Sequence, residues 1–208
     1  MSFNENTRVK IPALLHLSKL GYKYLSLSQA KWDLGTNIFR DIFSTSIRQI
    51  NPDLDEADVK RLFETVSLAL DNEDLGEAFF AMLTATAGSR LIDFRNFHNN
   101  SFHVVTELPY KNGDDEFRPD LTLLINGMPL AFIEVKKPNN REGILAERDR
   151  INVRFKNKKY RKFINISQVL VFSNNMEYDS RDVEPIQGAF YSSTSYLQAN
   201  FNYFNRHR

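Results

Sequence analysis

The sequence contains no cysteine. That excludes a disulfide framework and any thiolate metal site, and it fits a reducing compartment. It also lacks any run of eighteen apolar residues and any apolar signal-peptide core at its N-terminus, which predicts a soluble, cytoplasmic chain without membrane contact. One-sided charge is missing as well: 27 basic against 26 acidic residues leave a formal net charge of +1. Strong global attraction to nucleic acid is therefore not encoded, and such contact must come from local basic clusters or other subunits. The four histidines, His16, His98, His103 and His207, show no metal-ligand spacing and read as packed or exposed. There is no internal repeat and no low-complexity linker.

What is present is enough for one sizeable core. The 208 residues are 42% hydrophobic and include 17 Phe, which predicts one domain, or one domain with a helical extension. Apolar periodicity predicts helices over Thr7–Leu20 (with Pro12 as a caution), Thr36–Ile50, from Asp55 through Leu70, and over Leu75–Ala85. The period then shortens. Phe102–Tyr110, Leu121–Ile125 and Leu130–Val135 read as strands, the last two flanking a hairpin signal, Asn126-Gly127. A charged helix is expected over Arg141–Lys156, and Gln168–Phe172 reads as a strand buried without alternation. The tail beyond Asp182 is mixed, with Phe190, Tyr191, Tyr196, Phe201, Tyr203 and Phe204 read as core packing. The expected fold class is α/β (mixed α+β), a mixed central sheet flanked by helices, with a helical side lobe at about 32–88.

The chemistry concentrates in Arg118-Pro119-Asp120, thirteen residues, then Glu134-Val135-Lys136. Glu134 and Lys136 are two apart and leave one face of a strand. Two carboxylates that converge on a hard cation, with an ammonium beside them, are the parts needed to cut a phosphodiester. Asp120 and Glu134 are the expected magnesium ligands, with manganese as a substitute and the Val135 backbone carbonyl as a third oxygen. Lys136 would position the attacking water and stabilise transition-state charge. An acid and a lysine two apart are common on solvated sheet faces, but Leu121, Leu123, Leu124, Ile125, Phe132 and Ile133 leave little room for such a face. Geometry imposes a condition. A plain two-residue hairpin at Asn126-Gly127 sets Asp120 opposite Ile133, with the acids on opposite faces. A three-residue loop or a bulge sets Asp120 opposite Glu134. The expectation is an odd-residue hairpin with Gly127 left-handed.

From Leu91 to Tyr178 the chain resembles the N-terminal nuclease domain of the R (motor) subunit of type I restriction enzymes. The resemblance is carried by Leu91-Ile92-Asp93-Phe94, Asn99-Asn100, Phe102–Leu108, Arg118-Pro119-Asp120, Asn126-Gly127-Met128-Pro129-Leu130, Ile133-Glu134-Val135-Lys136-Lys137-Pro138 and Phe172-Ser173-Asn174-Asn175. The early Glu5-Asn6-Thr7-Arg8 matches the family's start. It implies a restriction-endonuclease-like PD-(D/E)xK core in which Asp120, Glu134 and Lys136 are catalytic. It also implies an acidic residue on the first helix, for which Glu5 is the candidate; Glu5 reads equally well as a solvated or helix-capping acid.

Two departures stand out. The family's glutamine followed four residues later by tyrosine is absent from the helix after the lysine strand. Arg148, Arg150, Asn152 or Arg154 could substitute, or form a solvated, ion-paired face. There is also no Gly-x-x-x-x-Gly-Lys-Ser/Thr loop, so ATP is expected to bind only in a full-length subunit. Residues 1–182 would then be the endonuclease domain and 183–208 the approach to a motor. Lys156, Lys158, Lys159, Arg161 and Lys162 are the densest basic cluster, able to track DNA or to form a solvated helix end. Asp114-Asp115-Glu116 reads as turn chemistry. The reading is thus a metal-dependent endonuclease domain acting on double-stranded DNA, partnered by methyltransferase (M) and specificity (S) subunits. Its rivals are a repair or recombination nuclease of the same fold and a catalytically silent docking scaffold.

Overall fold

A computed structural model describes residues 9–137, 143–174, 189–193 and 202–203. Its frame is a seven-stranded sheet built from β1 (Lys23–Tyr24), β2 (Phe102–Thr106), β5 (Leu121–Ile125), β6 (Met128–Val135), β7 (Val169–Ser173), β8 (Ala189–Ser192) and β9 (Asn202–Tyr203), in that spatial order. β3 (Tyr110–Asn112) and β4 (Asp115–Phe117) form a separate hairpin. β1 pairs parallel to β2 and β6 parallel to β7, while the other neighbours are antiparallel. A parallel pair needs a crossover, and α5 (Gly143–Phe155) and α6 (Arg161–Ile166) supply it between β6 and β7. The remaining helices are α1 (Ile11–Lys19), α2 (Arg40–Ile50), α3 (Glu56–Ala69) and α4 (Glu77–Leu83). This helix-flanked mixed sheet is a restriction-endonuclease-like architecture.

Three apolar clusters hold it together. Phe132, Phe172, Phe190, Tyr160 and Phe163 fill the space between the sheet and the α5–α6 crossover. Tyr110 and Phe117 pin the β3–β4 hairpin onto this layer, their rings 4.7 and 4.8 Å from that of Phe163. Helices α2 to α4 bury Phe43, Ile47, Val66 and Phe79 against Met128 and Leu130. Leu17 of α1 covers Val104 and Leu121.

The helix expectations hold in outline. Pro12 occupies the first turn of α1, where a missing N–H costs nothing. Asp55 and Asp58 form a reciprocal capping box at the start of α3. The strand read over Phe102–Tyr110 stops at Thr106, because Glu107 turns to φ +55°. β7 alternates after all, with Val169 exposed and Leu170 and Phe172 buried. Phe190 is buried core, as its aromatic character suggested; Tyr196, Phe201 and Phe204 lie outside the described residues, as do Glu5 and His207.

The hairpin between β5 and β6 meets the parity condition through a bulge rather than a three-residue loop, with Gly127 left-handed as expected. The turn holds two residues, Asn126 (φ +51°) and Gly127 (φ +79°), with Ile125 paired to Met128. The odd residue sits further along: the ladder passes from Leu124–Pro129 to Leu123–Ala131 and leaves Leu130 as a bulge. The Leu130 carbonyl turns to the other neighbour and accepts the Gln168 N–H at 2.7 Å. Beyond the bulge Leu121 pairs with Ile133, so the next positions, Asp120 and Glu134, face one another.

Buried polar groups clamp this turn. The fully buried Asn126 side chain accepts the Ser101 N–H at 2.8 Å and donates to the Leu91 carbonyl and the Asn100 side chain. Asn100 in turn exchanges two hydrogen bonds with the Asp93 backbone. The Asp93 carboxylate accepts from the Arg95 and Asn96 N–H groups and from Asn99. These bonds hold its pKa below the ordinary 3.8. A Cβ on Gly127 would stand 2.7 Å from the Phe39 carbonyl oxygen and 2.8 Å from the Phe43 nitrogen, both backbone.

Gly127→Ala should therefore cost roughly 2–4 kcal/mol, from left-handed strain plus backbone overlap; a loss below about 0.5 kcal/mol in urea denaturation would contradict this contact. Asp93 contributes stability that is complete above its ordinary pKa and lost as pH falls from there through its lowered folded-state value. The Asp93→Asn chain should be less stable at neutral pH and lose less on acidification from about pH 5 to about pH 2.5. An acid-induced loss as large as in the unsubstituted chain would show that Asp93 is not the titrating clamp.

Candidate active site

The bulge delivers its two acids side by side, and each carboxylate ties to the other strand. Asp120 Oδ2 accepts the Val135 N–H at 3.0 Å, and Glu134 Oε2 accepts the Asp120 N–H at 3.4 Å. These bonds extend the β5–β6 ladder by one step, with side chains replacing carbonyls. Lys136 leaves the same face as Glu134, and its Nζ lies 3.3 Å from Glu134 Oε1. Its backbone N–H is anchored on the Ser173 carbonyl of β7 at 2.8 Å. All three sequence-predicted side chains therefore meet, each only partly exposed.

Three further charged groups join them. Lys10, in the turn entering α1, is buried, and its ammonium lies 3.0 Å from Asp120 Oδ1 and 2.9 Å from Glu107 Oε1. The Glu107 N–H donates to the Asp120 carbonyl at 3.3 Å, which uses the left-handed residue that ends β2. Glu147 of α5 is buried, and its Oε1 is 3.1 Å from Lys136 Nζ and also accepts from Arg150. Sequence reading assigned none of these. Glu147 lay within the helix that lacks the family's glutamine and tyrosine, and one signal was available: it is one of the few acids in a stretch otherwise rich in arginine. Lys10 and Glu107 are distant in sequence, and no local pattern links them.

The electrostatics follow from crowding. Burial, then the neighbouring charge of Asp120, push the Glu134 carboxyl up to about 7; Glu147 adds to the rise while Lys136 opposes it. Burial alone would lower the Lys136 ammonium, but Glu134 and Glu147 outweigh it and hold it above its ordinary value. Lys10 behaves in the same way: burial is outweighed by Glu107 and Asp120.

A cleft of about 230 Å³ opens beside Glu134, lined also by Glu147, Arg118, Arg150 and Arg154. Arg154 stacks over the Phe117 ring at 4.1 Å, a contact that fixes the guanidinium plane. The residues read as DNA-binding thus divide. Arg150 and Arg154 border this cleft, and Arg148 pairs with Asp149. Lys158 and Lys159 line a separate groove, and Lys158 shares Glu73 with Arg161. Phe155, Tyr160 and Phe163 of the basic cluster are core residues. Asp115 and Glu116 belong to β4, where Glu116 pairs with Lys111 and Arg118. Among the described residues no three acid, histidine or cysteine side chains form a ready-made metal cluster.

Residues 2–183 match the family of type I restriction enzyme R protein N termini. The chain belongs to that family. A putative type I restriction enzyme endonuclease subunit of Methanocaldococcus jannaschii, MjaIXP, is 30% identical over 84% of this chain and 19% of its own length. The HindI endonuclease subunit of Haemophilus influenzae is 28% identical over 65% of this chain and 15% of its own length. A second putative M. jannaschii endonuclease subunit, MjaVIIIP, is 46% identical over a shorter stretch, 23% of this chain and 5% of its own length. The chain thus spans about a fifth or less of the curated relatives it matches. No helix of the described R-protein N terminus is long and apolar enough to cross a membrane.

Glu147→Ala leaves Lys136 with one carboxylate instead of two. The metal-free chain should lose roughly 2–3 kcal/mol, less than for a fully orphaned buried ion because Glu134 remains. Unchanged stability in chemical denaturation would mean that Glu147 does not carry the ammonium.

Proposed function

We propose that this chain is the DNA-cutting domain of a type I restriction enzyme and hydrolyses phosphodiester bonds in double-stranded DNA with a divalent cation. The observation that supports it most is the bulge-dependent meeting of Asp120 and Glu134 with Lys136 beside them. The donor chemistry fits magnesium or manganese, since two hard carboxylates suffice for a cation that keeps most of its waters. Burial and then the neighbouring Asp120 charge lift Glu134 to about 7, and a cation between the two acids would relieve both penalties. Asp120, Glu134 and the Val135 backbone carbonyl are the proposed ligands, with Glu5 a further candidate. A cation held by these residues would supply Lewis-acid charge neutralisation at the scissile phosphate.

The chain's own groups do the rest. Lys136, held between Glu134 and Glu147, orients the attacking water and opposes the negative charge that builds on the phosphate oxygens. Arg150 and Arg154, at the cleft edge, hold the DNA backbone, and Arg148 stands on the same helix. Lys158 and Lys159 would extend the contact along the second groove. Residues 1–182 form the nuclease domain on this reading, and 183–208 lead toward an ATP-driven motor in the longer subunit. Sequence recognition comes from the S subunit, alongside the M subunit.

In the intact complex, Lys136→Ala should reduce DNA cleavage by about a hundredfold or more while ATP hydrolysis continues. Undiminished cleavage would leave this domain a silent scaffold. ATP-independent cutting of branched DNA would favour a repair nuclease.

A further inference from the structure

Lys10 stands out among the charged groups because nothing in the proposed chemistry uses it. Its side chain is 11% exposed and spans Glu107 and Asp120. A buried lysine is expensive unless its charge is met by carboxylates. Here both partners adjoin the proposed metal site: Asp120 is one of the acid pair and a proposed cation ligand, and Glu107 is bonded to it through the backbone. The two oxygens of Asp120 are already engaged, Oδ2 by the Val135 N–H and Oδ1 by Lys10. A divalent cation reaching Asp120 through Oδ1 must displace the ammonium or share that oxygen with it, and one using the remaining lone pair of Oδ2 lies beside the ammonium on the same carboxylate. By each route the metal and the ammonium compete for the charge of one carboxylate.

We propose that Lys10 is a tethered cation that competes with the divalent metal for Asp120 and so sets its affinity. This rests on the metal-dependent reading above. Without metal, Lys10 neutralises Asp120 and holds the entry to α1 against β5. With metal, the ammonium is driven toward Glu107, whose side chain is more than half exposed and can follow it. Lys10 is a positioning residue on this account, acting through Asp120. It remains protonated throughout, and one bound charge is exchanged for another.

The test is manganese binding to the 208-residue chain by calorimetry, with thermal unfolding measured alongside. Lys10→Met removes the competitor, so Mn²⁺ should bind roughly tenfold more tightly. Its metal-free melting temperature should fall, and Mn²⁺ should raise it by more than in the unsubstituted chain. Lys10→Arg keeps the charge and should bind Mn²⁺ within about threefold of the unsubstituted chain. Lys10→Gln replaces Lys10→Met if the latter does not fold. Equal Mn²⁺ affinity in the charged and uncharged variants would overturn the proposal and leave Lys10 a structural tether. If the unsubstituted chain binds no Mn²⁺ and Asp120→Asn changes nothing, the metal reading itself falls, and this proposal with it.

Discussion

One extra residue in one strand decides whether Asp120 and Glu134 meet at all. Side chains alternate along β6, so every residue added between the turn and Glu134 switches the face on which Glu134 emerges. The two-residue turn alone would set Asp120 against Ile133. Leu130 supplies the missing step, and its side chain is not idle: it anchors in the apolar cluster beneath α2 to α4 while its carbonyl accepts from Gln168, the residue before β7. The bulge is thus held from both sides, and the turn that fixes its distance from Asn126 is clamped by buried amides and by the backbone of α2. Strong specification of register at this place is what a site built across two strands requires.

Burial governs the charges that gather there. Glu134, Asp120, Glu107 and Glu147 face two buried ammoniums, Lys10 and Lys136, with Arg150 at the rim. Each ammonium bridges two carboxylates, one at the site and one outside it. That arrangement stabilises the acids without metal yet leaves Glu134 hard to ionise. A polar network of this kind contributes little net stability for its desolvation cost. On the proposed function its value is catalytic, because burial makes every charge act at greater strength.

Much of this was legible in the residues. Apolar periodicity located α2, α3 and the β5–β6 pair, and the Asn126-Gly127 dipeptide named the turn. Strand parity between Asp120 and Glu134 required an extra residue, although the sequence left open whether it lay in the loop or the strand. Leu130 shows why: a bulge leaves no compositional mark when both bulged and regular positions are apolar. Strands β1, β8 and β9 are short and β3 and β4 are polar, so their periodicity is too weak to read. Lys10 and Glu107 were invisible because their pairing spans 97 positions. Glu147 was hidden differently, as an acid on a helix whose arginines suggested a solvated face.

The proposed chemistry needs a divalent cation held between Asp120 and Glu134. Anomalous diffraction from a crystal soaked in manganese locates that ion directly. A peak within coordination distance of both Asp120 and Glu134, with Lys136 adjacent, is the predicted result. Manganese bound elsewhere, with the Asp120–Lys10 contact and the Leu130 bulge intact and the acid pair bare, would contradict it.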